Sequence, residues 1–210
     1  MKINRRKLLK ASAASAFTTA LLPNIVLGSA PINIGSLTPN TGGGGPFGPK
    51  ITGAYKMIVD LVNKAGGING HEVLLTQENS ETNPETAIRA ARKLVDVNKV
   101  SAIIGTWNSS VTLGIMPLCQ EANVIQMCTS SSASIPVKDK KNLVYNLMVL
   151  SPAWGAPFGR FAQQQGAKTF AVMALNTDFT KSTVIAFEEA AIAAGMERVQ
   201  DAFYYNGGQA

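Results

Sequence analysis

The feature of the sequence that most restricts the fold is a strand–helix–strand pattern in residues 100–132. Two short runs of apolar and β-branched residues, 100–104 and 124–128, flank a segment with helical character at 111–123. A helix that joins two neighbouring strands returns the chain in the same direction, so the strands are expected to be parallel. Both strands therefore end at one rim of a parallel α/β sheet.

Each of these two strands is followed by a turn rich in hydroxyl groups. Residues 105–110 read Gly-Thr-Trp-Asn-Ser-Ser, and residues 129–132 read Thr-Ser-Ser-Ser. We expect Ser109 or Ser110 to cap the helix, whose free N–H groups would face the rim and favour an anion. Ligands of open α/β sheets bind at this rim, so the turns predict a receptor for a small carboxylate. The alternative is that the serines are only caps and turn formers.

Strand and helix patterns alternate along most of the chain, which is typical of parallel sheets with helices on both faces. The pattern restarts near Pro152, so we expect one α/β lobe at 31–150 and the start of a second, incomplete lobe at 151–210, with a cleft between them. The other predicted elements are strand 32–37, helix 50–64, strand 73–77, helix 84–97, strand 143–149, helix 153–165, strand 169–175, helix 181–194 and strand 198–205.

Helix 50–64 has apolar residues at helical spacing. They would share one face, and such a face is expected to pack inward against the sheet. The residues of this predicted inward face are Ala54, Met57, Ile58, Leu61 and Val62.

Charge and composition argue against several classes of protein. The net charge is +6, but residues 1–30 hold five basic residues and no acidic one, which leaves 14 basic and 13 acidic residues in the remainder. This balance argues against a nucleic-acid-binding surface. One histidine and two cysteines are too few for the usual zinc sites, so no metal or other cofactor is predicted. Cys119 and Cys128 are expected to be free thiols, because one lies in mid-helix and the other at a strand end.

Residues 1–30 resemble a twin-arginine export signal. Arg5 and Arg6 precede a mild apolar stretch at 11–27, which is too short and too polar for a comfortable membrane span. We expect this signal to be removed and the protein to be periplasmic, without stable membrane insertion. The alternative is an uncleaved anchor. No cysteine precedes Cys119, so a lipoprotein anchor is not expected.

Residues 43–48 match the G-x-G-x-x-G fingerprint between a strand and a helix. A dinucleotide-dependent oxidoreductase exported by the twin-arginine route is therefore the alternative function. Against it, the first glycine lies six residues beyond Leu37, and Pro46 and Pro49 lack the N–H groups that a pyrophosphate needs. The stretch could instead be a flexible linker. We favour an arrangement in which Phe47 covers an apolar part of a ligand.

Serine hydrolysis is a third function to consider. The only histidine, His71, is predicted at the start of a strand, at the opposite rim from Ser109, Ser130 and Ser132. A Ser–His pair is therefore not expected, and no S-x-x-K spacing occurs. The protein is not expected to be an enzyme.

Several stretches together resemble the type I periplasmic solute-binding proteins of ABC importers, in the branched-chain amino acid and amide group. The resemblance implies an extracytoplasmic binding protein with two lobes that close by a hinge on a small solute, either an amino acid of the branched-chain type or an amide-like molecule. It also implies a membrane ABC permease as partner. It covers the chain from about residue 32 to the end, although members of the family are much longer. The stretches are Ile34-Gly35, Thr52-Gly53-Ala54, Asn63-Lys64-Ala65-Gly66-Gly67-Ile68-Asn69-Gly70, Asn83-Pro84 with Ala87, Ile103-Ile104-Gly105 with Ser109-Ser110, and Cys128-Thr129-Ser130-Ser131-Ser132.

The resemblance also implies a binding site. Ser109, Ser130 and Ser132 would hold the carboxylate and ammonium groups of an amino acid through hydroxyl and backbone groups. Phe47 would line the pocket from the first lobe. Trp107, beside the first serine turn, would either shape the pocket or pack under the rim.

On the second lobe, Asp178-Phe179 stands where the family has an aspartate–tyrosine pair, so Phe179 would be the opposing aromatic residue. Phenylalanine lacks the tyrosine hydroxyl and would provide apolar cover or a cation–π contact. Thr180 and Ser182 stand where that loop usually carries glycines, so the local backbone is expected to differ.

Overall fold

The computed structural model describes residues 30–206. The predicted export signal lies outside this range apart from Ala30, as do residues 207–210. Within 30–206, none of the helices combines the length and the apolar character needed to cross a bilayer.

A five-stranded parallel sheet forms the first lobe. Its strands are in the order β2-β1-β3-β4-β5, and each strand is parallel to its neighbours. All five carboxyl ends therefore lie at one rim, as the strand–helix–strand pattern predicts. The strands are β1 Ile32–Thr38, β2 Val73–Asn79, β3 Ala102–Thr106, β4 Ile125–Cys128 and β5 Val144–Asn146, which is shorter than the predicted 143–149.

Four helices accompany this sheet. The main apolar core lies where α2 and α3 pack on the sheet, and it includes Leu37, Leu94, Ile103 and Ile115, all fully buried. Burial of such side chains is the main favourable contribution to folding. The helices are α1 Gly48–Lys64, α2 Pro84–Arg92 with a π-helical continuation at Lys93–Val97, α3 Ser109–Ala122 and the short α4 Ser134–Lys138.

Helix α1 turns a different face to the sheet from the one predicted. Thr52 fixes the rotation of α1, because its hydroxyl lies 2.7 Å from the Thr38 hydroxyl and 2.8 Å from Asn40 Oδ1 at the end of β1. The residues that share this side, such as Tyr55 and Val62, are half-buried. The predicted inward face is therefore wrong for four of its five members, which are exposed: Ala54, Met57, Ile58 and Leu61.

Within residues 151–206, the second lobe contains two helices and four short strands. The predicted strand 169–175 is present as two short strands, β6 and β7, and the predicted strand 198–205 as β8 and β9. These strands pair in parallel as β6–β8 and β7–β9. A small core of Phe170, Ala191 and Met196 lies beneath them. The elements are α5 Pro152–Gln164, β6 Thr169–Phe170, β7 Met173–Leu175, α6 Asp178–Ala193, β8 Glu197–Arg198 and β9 Phe203–Tyr205.

Helices α5 and α6 approach each other closely through two glycines. A methyl group added at Gly155 would lie 2.1 Å from the carbonyl oxygen of Thr183, and one at Gly159 would lie 2.7 Å from that of Phe187. The absence of a side chain on these two residues of α5 therefore allows the two backbones to meet.

Candidate functional site

Helix α3 begins at the rim with Asn108 as its cap. The Asn108 side-chain oxygen accepts a hydrogen bond from the Val111 N–H at 3.1 Å. The expectation that Ser109 or Ser110 would cap the helix is therefore wrong. Strand β3 extends to Thr106, two residues beyond its predicted end, so the helix starts earlier and both serines lie inside its first turn. Their N–H groups have no intrahelical acceptor, because the first N–H groups of any helix lack one.

Ser109 connects the two serine turns. Its side chain is buried, and its hydroxyl oxygen accepts the N–H groups of Ser131 at 3.3 Å and Ser132 at 3.2 Å. The Ser109 side chain, which follows β3, is therefore hydrogen-bonded to the backbone of the turn that follows β4. The predicted convergence of the two turns on one place is present in the structure.

Ser130 and Ser132 are also buried and hydrogen-bonded within the protein. The Ser130 hydroxyl lies 3.1 Å from the carbonyl oxygens of Thr106 and Trp107 and contacts the Thr112 hydroxyl. The Ser132 hydroxyl accepts the Ser134 N–H at 3.3 Å, at the start of α4. Both side chains therefore stabilise the turns. This is the structural role that the sequence predicts as the alternative to ligand binding.

The three predicted aromatic residues lie in two places. Phe47 directly precedes α1, and its ring lies 5.3 Å from the Trp107 ring, tilted by 32°. Phe47 is 52% exposed, so this pair presents an apolar surface beside the first serine turn. Phe179 lies in the first turn of α6 and is 38% exposed. Among the aromatic pairs of residues 30–206, it is joined to neither Phe47 nor Trp107.

The structure brings second-lobe residues to the rim that the sequence did not single out as contacts. The Ser110 hydroxyl accepts the Asp178 N–H at 3.3 Å, and the Ser182 hydroxyl accepts the Ala133 N–H at 3.0 Å. The first turns of α6 therefore lie against both serine turns. The sequence signals for this region were the Asp178-Phe179 pair, predicted to oppose the first lobe, and Thr180 and Ser182 where the resembled family usually has glycines.

A groove of about 480 Å³ lies between α4 and α6. It has apolar and charged walls, and none of the six predicted site residues lines it. Within residues 30–206, its charged side chains form no salt bridge. The charged residues are Lys138, Asp178, Lys181 and Glu189, and the apolar ones include Val137 and Ile185.

The segment before α1 that contains the glycine stretch is held by side chains at the end of β2 and in the loop that follows it. The Gly44 N–H donates to the Thr82 hydroxyl at 2.8 Å, and Asn79 Oδ1 accepts the N–H groups of Asn40 and Thr41. Gly42–Gly44 forms a short 3₁₀ turn. The Gly44 N–H is thus already used inside the protein, which removes one donor that a phosphate-binding loop would need.

Cys119 and Cys128 are free thiols, as predicted, and both are buried. Burial raises the pKa of the Cys119 thiol to about 12. Burial also raises the pKa of Cys128, although hydrogen bonds from Ser130 and Thr112 oppose that effect.

The single histidine lies far from the serines along the strands. His71 precedes β2 at the amino end of the sheet, where its Nδ1 lies 2.8 Å from the Ala30 carbonyl oxygen. The serine turns lie at the carboxyl ends of β3 and β4. The predicted separation of histidine and serines is therefore confirmed.

Residues 31–210 match the family of periplasmic binding proteins, and the chain belongs to this family. An amino acid binding protein of Pseudomonas aeruginosa is 29% identical over 124 residues, which cover 59% of this chain and 31% of the relative. This family membership confirms the resemblance drawn from the glycine turn and the serine turns.

Solved structures show the same fold. A leucine binding protein from Thermotoga maritima superposes with a TM-score of 0.72 at 24% identity, over 85% of this chain and 50% of that chain. A solute binding protein from Rhodopseudomonas palustris, in complex with 3,4-dihydroxy benzoic acid, superposes with a TM-score of 0.72 at 21% identity. The superposition covers 83% of this chain and 47% of that chain. The chain therefore has the type I periplasmic binding protein fold and spans about half the length of these structures.

Proposed function

We propose that the protein is the substrate-binding component of an ABC importer, and that its solute is a small molecule with a carboxylate group, with branched-chain amino acids as first candidates. The observation that carries the proposal is the contact of Ser109 with Ser131 and Ser132, which joins two hydroxyl-rich turns at one rim. The N–H groups that start α3 lie in the same place, where a helix favours an anion.

The chemistry of the rim suits a carboxylate better than a cation. Neither serine turn contains a charged residue, and Asp178, the acidic residue at the start of α6, contacts Ser110 through its backbone N–H. Hydrogen bonds to a charged acceptor are shorter and stronger than those to a neutral one. The matched proteins agree with this choice, because leucine and 3,4-dihydroxy benzoic acid both carry a carboxyl group.

The aromatic pair of Phe47 and Trp107 supplies the apolar part of the proposed site. It lies beside the turn that carries Ser109, and Phe47 is half exposed. We place Phe179 on the opposing side, because α6 meets the rim through Asp178, the residue next to it. A solute with a carboxylate at one end and an apolar group at the other would match this arrangement.

The proposal is tested by ligand binding to the purified chain. Leucine, isoleucine, valine and 4-hydroxybenzoate are screened by thermal shift, and those that raise the melting temperature are titrated by calorimetry. Leucinamide is the matched control, because it keeps the side chain and ammonium group of leucine but lacks the carboxylate. We expect leucine to bind and leucinamide not to bind. Equal binding of the two would contradict the carboxylate site.

The site residues are tested with the same titration. Ser109→Ala and Ser132→Ala are each expected to weaken solute binding by roughly 1–3 kcal/mol, because each removes a hydrogen-bonding group beside a buried charge. Ser101→Ala is the control, since Ser101 is exposed and precedes β3 at the opposite end of the sheet. Unchanged affinity in both rim variants would refute the assignment of these serines.

Export is a separate part of the proposal. We propose that residues 1–30 are a twin-arginine signal that is removed, so that the mature protein works in the periplasm. Replacing Arg5 and Arg6 by lysine is expected to keep the protein in the cytoplasm. Mass spectrometry of the wild-type periplasmic protein is expected to show the loss of about the first 28–30 residues. A periplasmic protein that still carries these residues would contradict removal of the signal.

A further inference from the structure

The first turns of α6 are attached to the first lobe by serine side chains. Ser182 accepts the Ala133 N–H at 3.0 Å and also contacts the hydroxyl of Ser151. At the start of the same helix, the Asp178 N–H donates to the Ser110 hydroxyl. The second lobe is thus held at two separate points of the rim.

Ser151 extends this connection to the proposed ligand site. It is fully buried in the segment between β5 and α5, and its N–H donates to the Ser131 carbonyl oxygen. The Ser131 N–H in turn donates to the Ser109 hydroxyl. A continuous series of hydrogen bonds therefore runs from Ser109 through Ser131 and Ser151 to Ser182.

We propose that Ser182 is a positioning residue that holds the second lobe against the rim of the first lobe. Its contacts with Ala133 and Ser151 are called the inter-lobe clasp. A hydroxyl group suits this position because it can accept the Ala133 N–H and share a proton with Ser151 at the same time. Alanine or glycine at this position would leave the Ala133 N–H without its acceptor.

The clasp has a consequence for solute affinity, and this part rests on the proposed function. A solute that contacts both lobes binds only when they are close together. If the clasp keeps a larger fraction of molecules in that arrangement, the apparent affinity rises by the same factor. One hydrogen bond changes such an equilibrium by about fivefold to tenfold.

The lobe separation is measured by pulsed electron paramagnetic resonance on the full chain without solute. Spin labels are attached at Lys64→Cys in α1 and Gln164→Cys in α5, two exposed positions on different lobes. The native thiols of Cys119 and Cys128 are buried and are expected to remain unlabelled. Ser182→Ala is compared with Ser182→Thr, which restores a hydroxyl group.

The control for a general effect on α6 is Thr183→Ala. The Thr183 hydroxyl donates only within α6, to the Phe179 carbonyl oxygen, so its loss leaves the clasp intact. We expect Ser182→Ala to lengthen and broaden the distance distribution, while Ser182→Thr and Thr183→Ala resemble the wild type. Ser110→Ala, which releases the Asp178 N–H, is a second test and is also expected to lengthen the distance.

The outcomes separate the clasp from the proposed function. An unchanged distance in Ser182→Ala would overturn the clasp, whatever the chain binds. A longer distance in a chain that binds none of the tested solutes would support the clasp while the proposed function fails. If both proposals are correct, Ser182→Ala lengthens the distance and weakens leucine binding by a factor of up to about five to ten, the full factor being reached where the closed arrangement is the minor state.

Discussion

The hydroxyl oxygen of Ser109 lies 3.2 Å from the backbone nitrogen of Ser132, so the first residue of α3 closes the turn that follows β4. The same oxygen also accepts the Ser131 N–H. Because the hydroxyl is buried, its loss would leave two N–H groups without their acceptor. The Ser109 side chain is therefore expected to stabilise the contact between the two serine turns.

Ser109→Ala is expected to lower the free energy of unfolding by about 1–3 kcal/mol, which is the cost of leaving buried hydrogen-bonding groups unsatisfied. Urea denaturation followed by circular dichroism measures this change. Ser101→Ala, at an exposed position before β3, is the control and is expected to change stability by less than about 0.5 kcal/mol. Similar small effects of both variants would show that the Ser109 contact is not needed for folding.

Gly105 is required by its conformation and by its neighbours. Its φ is +93°, a region that favours glycine, and an added methyl group would lie 2.6 Å from Cε2 of Tyr55. Gly105→Ala is expected to lower the free energy of unfolding by at least about 2 kcal/mol through backbone strain and overlap. Thermal and urea unfolding provide the measurement.

Gly53→Ala is the matched control for this prediction. Gly53 lies inside α1, and a methyl group added there would meet no atom within 4 Å. Alanine is therefore expected to stabilise the helix by about 0.5–1 kcal/mol. The changes in the free energy of unfolding are therefore expected to have opposite signs in the two variants. A stabilising effect of Gly105→Ala would contradict the close approach of Tyr55.

The order of the elements and the parallel sheet could be predicted because hydrophobic periodicity is a local property. The convergence of the serine turns followed from it, since the crossover rule fixes which strand ends share a rim. The face of α1 could not be predicted in the same way. It depends on the contact of Thr52 with Thr38 and Asn40, residues from another element that carry no periodic signal.

Local ambiguity limited the prediction of the site. Asn108, Ser109 and Ser110 are all good caps, so composition alone could not select Asn108. Helix α6 starts at Asp178, three residues before its predicted start, because Thr177 and Thr180 form a capping box there. The contact between Ser182 and Ala133 joins the two lobes, and the relative orientation of the lobes leaves no pattern in the sequence.

The contact between α5 and α6 gives a test of the second lobe. An added methyl group at Gly155 would lie 2.1 Å from the Thr183 carbonyl oxygen, so the two helices would have to move apart. Gly155→Ala is therefore expected to destabilise this lobe by about 1–3 kcal/mol, although alanine is the better helix former. Hydrogen exchange of the α6 amide groups measures the effect, with Gly53→Ala as the control. Slower exchange in α6 would contradict the close contact.

Because the thiol of Cys119 is buried, the stability of the protein is expected to vary with pH in the alkaline range. Burial raises the pKa of this thiol from 9.0 to about 12 in the folded protein. The folded and unfolded chains therefore hold the same proton below pH 9, but only the folded chain keeps it between pH 9 and pH 12. Since the unfolded state binds fewer protons in that window, stability falls as the pH rises.

Cys119→Ala is expected to remove this part of the pH dependence. One thiol contributes a slope of up to about 1.4 kcal/mol per pH unit between pH 9 and pH 12, so the free energy of unfolding of the wild type should fall more steeply there than that of the variant. The measurement is urea unfolding at pH 7, 9 and 10.5. The variant also loses packing, but that loss is independent of pH and cancels when the slopes are compared. Parallel slopes would contradict a strongly raised pKa of Cys119.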